Sequence, residues 1–78
     1  MNDKNSLEGY YLSKIDGCMM VCKLKMICEN TNNIYYNRYY LNDKHIGGGN
    51  FETYSFLIKN GLLLKITEDE AMIVDILV

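Results

Sequence analysis

Cys18-Met-Met-Val-Cys-Lys-Leu-Lys-Met-Ile-Cys28 separates by parity into two rows. The even positions carry Cys18, Met20, Cys22, Leu24, Met26 and Cys28, all apolar, whereas both charges, Lys23 and Lys25, stand at odd positions. Successive side chains of a strand point to opposite faces, so this segment buries one whole side as a long β-strand. A helix would set the two lysines about 200° apart and leave no polar stripe. The stretch therefore specifies a β-sheet protein.

Working upstream, Gly9 to Ile15 has aromatic and branched content suited to a strand and runs into Asp16-Gly17. That dipeptide tolerates the positive φ angles of a type I′ turn, which predicts a hairpin pairing Ile15 with Cys18. The register follows. Ser13 faces Met20 and Tyr11 faces Cys22 on the buried side, while Lys14 meets Met19, Leu12 meets Val21 and Tyr10 meets Lys23 on the other. Residues 1–7 are expected to be a flexible tail on a single domain spanning residues 1–78.

Downstream, the polar cluster Glu29 to Asn33 is a turn, and Ile34 to Asn42 resumes strand composition. A four-residue loop buries Tyr35, Tyr39 and Leu41; a five-residue loop buries Ile34, Tyr36 and Tyr40. Both registers stay open. Asp43 to Asn50, with three consecutive glycines, reads as a flexible connection. Residues 51–59 fit two patterns. Phe51, Tyr54, Leu57 and Ile58 form a helical stripe behind Asn50 as cap, with Gly61 as a stop, yet Tyr54, Phe56 and Ile58 alternate ahead of Asn60-Gly61, a strong hairpin signal. The hairpin is favoured, with Leu62 to Ile66 as its partner strand. Thr67 and Glu70 have the spacing of a capping box, but the short, branched run after them favours a last strand. The fold class expected is all-β, an antiparallel meander of about six strands curled into a barrel or sandwich that covers its edges. The alternative is α+β with one helix near residues 50–60.

Chemistry is sparse. Cys18, Cys22, Cys28 and His45 are zinc-ligand types, but at about 3.3 Å per residue the first two cysteines stand roughly 13 Å apart and the last two roughly 20 Å, too far to share a metal or a disulfide. They read as buried free thiols, and no metal or cofactor is expected. His45 lacks a placed nucleophile and reads as an exposed loop residue. Gly47-Gly48-Gly49 is followed by no Lys-Ser or Lys-Thr, so it is no phosphate loop. Glu68, Asp69 and Glu70 lack calcium-loop spacing. Enzymatic activity is not expected.

The net charge of −2 excludes a strongly basic nucleic-acid binder. No apolar run approaches membrane-helix length and no signal peptide is visible, so the expected location is cytoplasmic. The seven tyrosines point further, because six are neighbours: Tyr10-Tyr11, Tyr35-Tyr36 and Tyr39-Tyr40. Adjacent strand residues face opposite ways, so one ring of each pair is displayed, and tyrosine suits recognition surfaces. The expected partner-binding set is Tyr10, Lys14, Lys23, Lys25, Tyr36, Arg38 and Tyr40 on a sheet face, with Glu68, Asp69 and Glu70 at an acidic end. A protein partner is favoured over a weakly held single-stranded nucleic acid because the cations are few, and self-association is a third reading. Asn, Lys, Ile and Tyr make up 31 of 78 residues. That A/T-rich codon bias, with the small size, suggests a phage or mobile-element inhibitor of a host defence system, of the anti-CRISPR kind.

Overall fold

The computed structural model describes residues 7–15, 17, 19–29 and 34–77, with positions 28, 29 and 77 described by backbone only. Five strands form one antiparallel sheet: β1 (Gly9–Ser13), β2 (Met20–Glu29), β3 (Ile34–Tyr40), β4 (His45–Asn50) and β5 (Leu63–Ile66). Helix α1 (Phe51–Lys59) precedes β5, and α2 (Glu68–Leu77) follows it. The spatial order β4-β3-β2-β1-β5 leaves β4 and β5 at opposite edges, so the sheet does not close into a barrel. The expected barrel or sandwich is thus corrected to the β-rich α+β alternative, with helices supplying the cover that closure would have given.

The β1–β2 ladder has the register read from the sequence, Tyr10 to Lys23, Tyr11 to Cys22, Leu12 to Val21 and Ser13 to Met20. Asp16 and Cys18, and with them the turn type and the Ile15–Cys18 pair, lie outside the described residues. Tyr11, Ser13, Cys22 and Leu24 are buried on the inner face, where they join Tyr36, Tyr54 and Leu63. The inward row opens at Met26, which is 37% exposed. β1 ends opposite Leu24, and beyond it the Met26 N–H donates to a carboxylate oxygen of Glu8 instead of to a strand. Leu7, assigned above to the tail, packs against the inner cluster; its N–H donates to the Tyr36 hydroxyl at 3.0 Å.

A bulge between Met26 and Cys28 decides the open register of β3. Below it Met26 pairs with Tyr36 and Leu24 with Arg38; above it Cys28 pairs with Tyr35. The extra residue shifts parity by one, so Tyr36 is buried at 1% exposure and Tyr35 is 40% exposed. The triple glycine, read as a flexible link, is instead part of β4. A Cβ at Gly48 would lie 2.9 Å from Asn37 Oδ1 and 3.0 Å from the Tyr36 carbonyl, so any larger residue would have to push the Asn37 side chain aside and ease β4 away from β3.

Residues 51–59 are helical, contrary to the favoured hairpin. Asn50 Oδ1 accepts the Thr53 N–H at 2.8 Å, capping the first turn. The last turn closes with Gly61 N–H on the Ile58 carbonyl and Leu62 N–H on the Leu57 carbonyl, around Gly61 at φ 78°. A type I′ turn needs positive φ at both residues, and Asn60 sits at −94°. Asn-Gly therefore stops a helix here. α1 crosses the inner face, and its only described buried residue, Tyr54, meets Tyr36 edge-on with ring centroids 6.3 Å apart.

The C-terminal segment is also a helix, not a last strand. The capping box forms in both directions, Thr67 N–H to Glu70 Oε1 at 2.9 Å and Glu70 N–H to Thr67 Oγ1 at 3.1 Å. Glu68, Asp69 and Glu70 fill its first turn, where the helix dipole favours negative charge. α2 packs on β1 and β2 at the outer face, where it buries Ala71 and Val21 apart from the inner cluster. Among the described residues no helix is long and apolar enough to cross a membrane.

Tyr11 ties this frame to pH. Its hydroxyl donates to the Leu7 carbonyl at 2.7 Å, and burial, helped by Tyr36 and Cys22, pushes its pKa up to about 12 from the ordinary 10.0. The unfolded chain gives up this proton near pH 10, the folded chain not until about pH 12. Unfolding between those limits releases a proton, so stability present below pH 10 falls as pH rises. Urea midpoints should drop across this window in the native protein and drop less in Tyr11→Phe; an equal drop would show that Tyr11 is not the group responsible.

Candidate functional site

The outer face is built from the odd members of the parity pattern. One row crosses the whole sheet as Ile66, Tyr10, Lys23, Tyr39 and His45, each paired with the next across neighbouring strands. A second row runs Lys25, Asn37 and Gly48. α2 shields β1 and β2. Lys25, Tyr35 and His45 are exposed and Asn37 and Tyr39 half-buried on the other side of β2 and beyond. Tyr10, Lys23 and Lys25 meet around a shallow groove of about 310 Å³ with Glu8, Gly9 and Leu24.

The polar groups on this face are held in place. The tight turn after β3 puts Asp43 in the left-handed region at φ 68°, which Asp tolerates, and Asn42 Oδ1 steadies it by accepting the Lys44 N–H. Asp43 then pairs with Lys23. The hydrogen bond to Asp43 holds the Lys23 ammonium above its ordinary pKa against partial burial, with Glu68 adding to the same direction. The same bond holds the Asp43 carboxyl below the usual range. Tyr39 is fixed from two sides, its hydroxyl accepting from Asn37 Nδ2 at 3.1 Å and its ring edge-on to His45 at 5.5 Å. The result is a pre-ordered aromatic row whose central cation is already matched by a carboxylate.

Of the residues expected to bind a partner, Tyr10, Lys23 and Lys25 are brought together. Lys14 is exposed just past β1. Tyr36 is corrected to an inner core residue, since the bulge turns it inward. Tyr40 and Arg38 share its parity; both are half-buried. Arg38 reaches the Cys22 thiol and the Tyr54 hydroxyl, and its Nε is buried with no hydrogen-bond partner among the described residues. Burial still wins at Cys22, whose thiol is pushed up in spite of Arg38. Tyr40 lines a second cleft of about 300 Å³ with Met20, Val21, Leu41, Asn42 and Asp75. Glu68 lies toward Lys23, Glu70 is engaged in the capping box, and Asp69 is exposed on α2.

The residues missed were the complementary tyrosines, Tyr35 and Tyr39, together with Asn37 and His45. Setting Tyr39 opposite Lys23 and Asn37 opposite Lys25 required the bulge, which no glycine or proline marks. Also missed were Met72, Ile73 and Ile76, exposed at 55%, 58% and 82% on α2; a strand reading hides their helical spacing. No family model matches the chain, and neither does any curated protein or solved structure.

Proposed function

We propose that this chain is a non-enzymatic interaction protein that takes a protein partner on the part of the outer sheet face that α2 leaves uncovered. The observation that carries the reading is the row Tyr10, Lys23, Tyr39 and His45 with Lys25 beside it, ordered by its own hydrogen bonds and open to solvent at Lys25 and His45. Rigid aromatic side chains bury area at small entropic cost, and their alignment is fixed before a partner arrives. Pairing of Lys23 with Asp43 supports a protein over a nucleic acid, because phosphate binding depends on cations left to displace counterions. A phage or mobile-element inhibitor of a host defence system is the subclass that size and A/T-rich composition suggest.

Capture from a lysate of the source organism tests this. Lys25→Glu combined with Tyr39→Ala should leave the circular dichroism spectrum unchanged and weaken capture by about tenfold or more. Undiminished capture would move the recognition surface elsewhere. Retention of labelled single-stranded DNA at low salt, lost steeply as salt is added, would favour the nucleic-acid reading instead.

A further inference from the structure

Helix α2 has two apolar sides. Ala71 is fully buried and Val74 half-buried against the sheet, while Met72, Ile73 and Ile76 are exposed. At 3.6 residues per turn the exposed three centre about 180° from the buried pair. A helix lying on one sheet needs a single apolar stripe; one lying between two sheets needs two, on opposite sides. Carboxylates ring the outward stripe: Asp69 lies on it, Glu68 and Asp75 flank it on one side and Glu70 on the other, and α2 carries no basic residue.

The surface of opposite character is on the same molecule. Among the described residues α2 packs chiefly on β1 and β2, and the outer face it leaves open displays Lys25 toward the far end of β2 and Tyr35, Tyr39 and His45 on β3 and β4. We infer that the occupant of this uncovered half is α2 of a second copy of the chain. The inference rests on the reading of the outer face as a recognition surface and names its partner. A two-fold axis running along the strands, between two sheets set outer face to outer face, brings each helix over the other's uncovered half. Each copy then gives what it receives, as an isologous interface requires. The apolar stripe meets tyrosine rings, with Met72 suited to an aromatic edge, and the acidic rim meets Lys25. Direct pairing of α2 with α2 is disfavoured, since it sets eight carboxylates, four from each helix, against one another.

Sedimentation velocity decides the matter. The native chain should sediment as a dimer at about 100 μM, a concentration that admits even modest affinity. Ile73→Glu, at a position 58% exposed and so neutral for the fold, should weaken the dimer by about tenfold or more, as should Lys25→Glu with Tyr39→Ala. Mixing the helix variant with the sheet variant should recover association, because the hetero-pair keeps one intact helix-on-sheet contact. A native chain that is monomeric throughout overturns the inference. So does a dimer indifferent to either variant, and so does a mixture that fails to recover, which is the result helix-on-helix pairing gives. In each case the recognition reading is judged separately: loss of capture in the sheet variant by a monomeric chain upholds it, and unchanged capture ends it.

Discussion

Tyr36→Ala should leave the chain largely unfolded at room temperature. Tyr36 is 1% exposed, stands edge-on to Tyr54, pairs across the sheet with Met26 and Gly49, and accepts the Leu7 N–H. Truncating a buried aromatic costs about 3–5 kcal/mol, from the lost burial of the ring together with the cavity left behind. A domain of 78 residues has roughly 5 kcal/mol in total, so the variant retains little. Tyr36→Phe keeps the ring and gives up one acceptor, a loss of about 1 kcal/mol. Tyr35→Ala, at 40% exposure one residue away, should cost about 1 kcal/mol or less. Urea titrations of the three variants test the parity of β3 directly. If the Tyr35 and Tyr36 effects were equal or reversed, the bulge between Met26 and Cys28 would be misplaced, and Tyr39 would leave the outer face with it.

That dependence on one bulge explains what the sequence could and could not disclose. The inward side of β2 at Cys22 and Leu24 and the β1–β2 register were legible because both follow from local alternation joined by a short connection. The face of β3 was not legible, since an unpaired residue in the middle of β2 reverses it and Ile27 looks like any other strand residue. The order of elements after Asn50 failed for a different reason. Each helix signal was visible, Asn50 and Gly61 for α1 and Thr67 with Glu70 for α2, but strand propensity of Phe56, Ile58, Ile73 and Val74 outweighed it. Propensity is a weak prior where tertiary burial decides, and what decided here was the need to cover both faces of a sheet that does not close. Of the candidate site, Tyr10, Lys23 and Lys25 were legible from the hairpin alone. Tyr39 and His45 join them only through long-range pairing, which one sequence does not encode locally.

Ala71→Asp should release α2 from the outer face while the sheet stays folded. Ala71 has no exposed surface, and its N–H continues the helix from the Thr67 carbonyl at 2.9 Å, so its side chain points where the helix meets β1 and β2. A carboxylate forced into that contact costs several kcal/mol, about 3–5 for an uncompensated buried charge, and Glu68, Glu70 and Asp75 on the same helix oppose it further. The cost need not be met in full, because the helix can let go. The inner cluster of Tyr11, Cys22, Leu24, Tyr36, Tyr54 and Leu63 includes no residue of α2 among the described residues, so undocking leaves those six side chains packed. The loss of stability is therefore capped at what α2 contributes. Hydrogen exchange should show the 68–77 amides unprotected and the β1–β3 ladder still protected, with Val21 newly exposed beneath. Ala71→Ser, small and uncharged, should cost about 1 kcal/mol or less and keep the helix docked. Full protection of residues 68–77 in Ala71→Asp would mean that position 71 faces solvent. In that case Met72, Ile73 and Ile76 would turn toward the sheet, and the second apolar side of α2 would not exist.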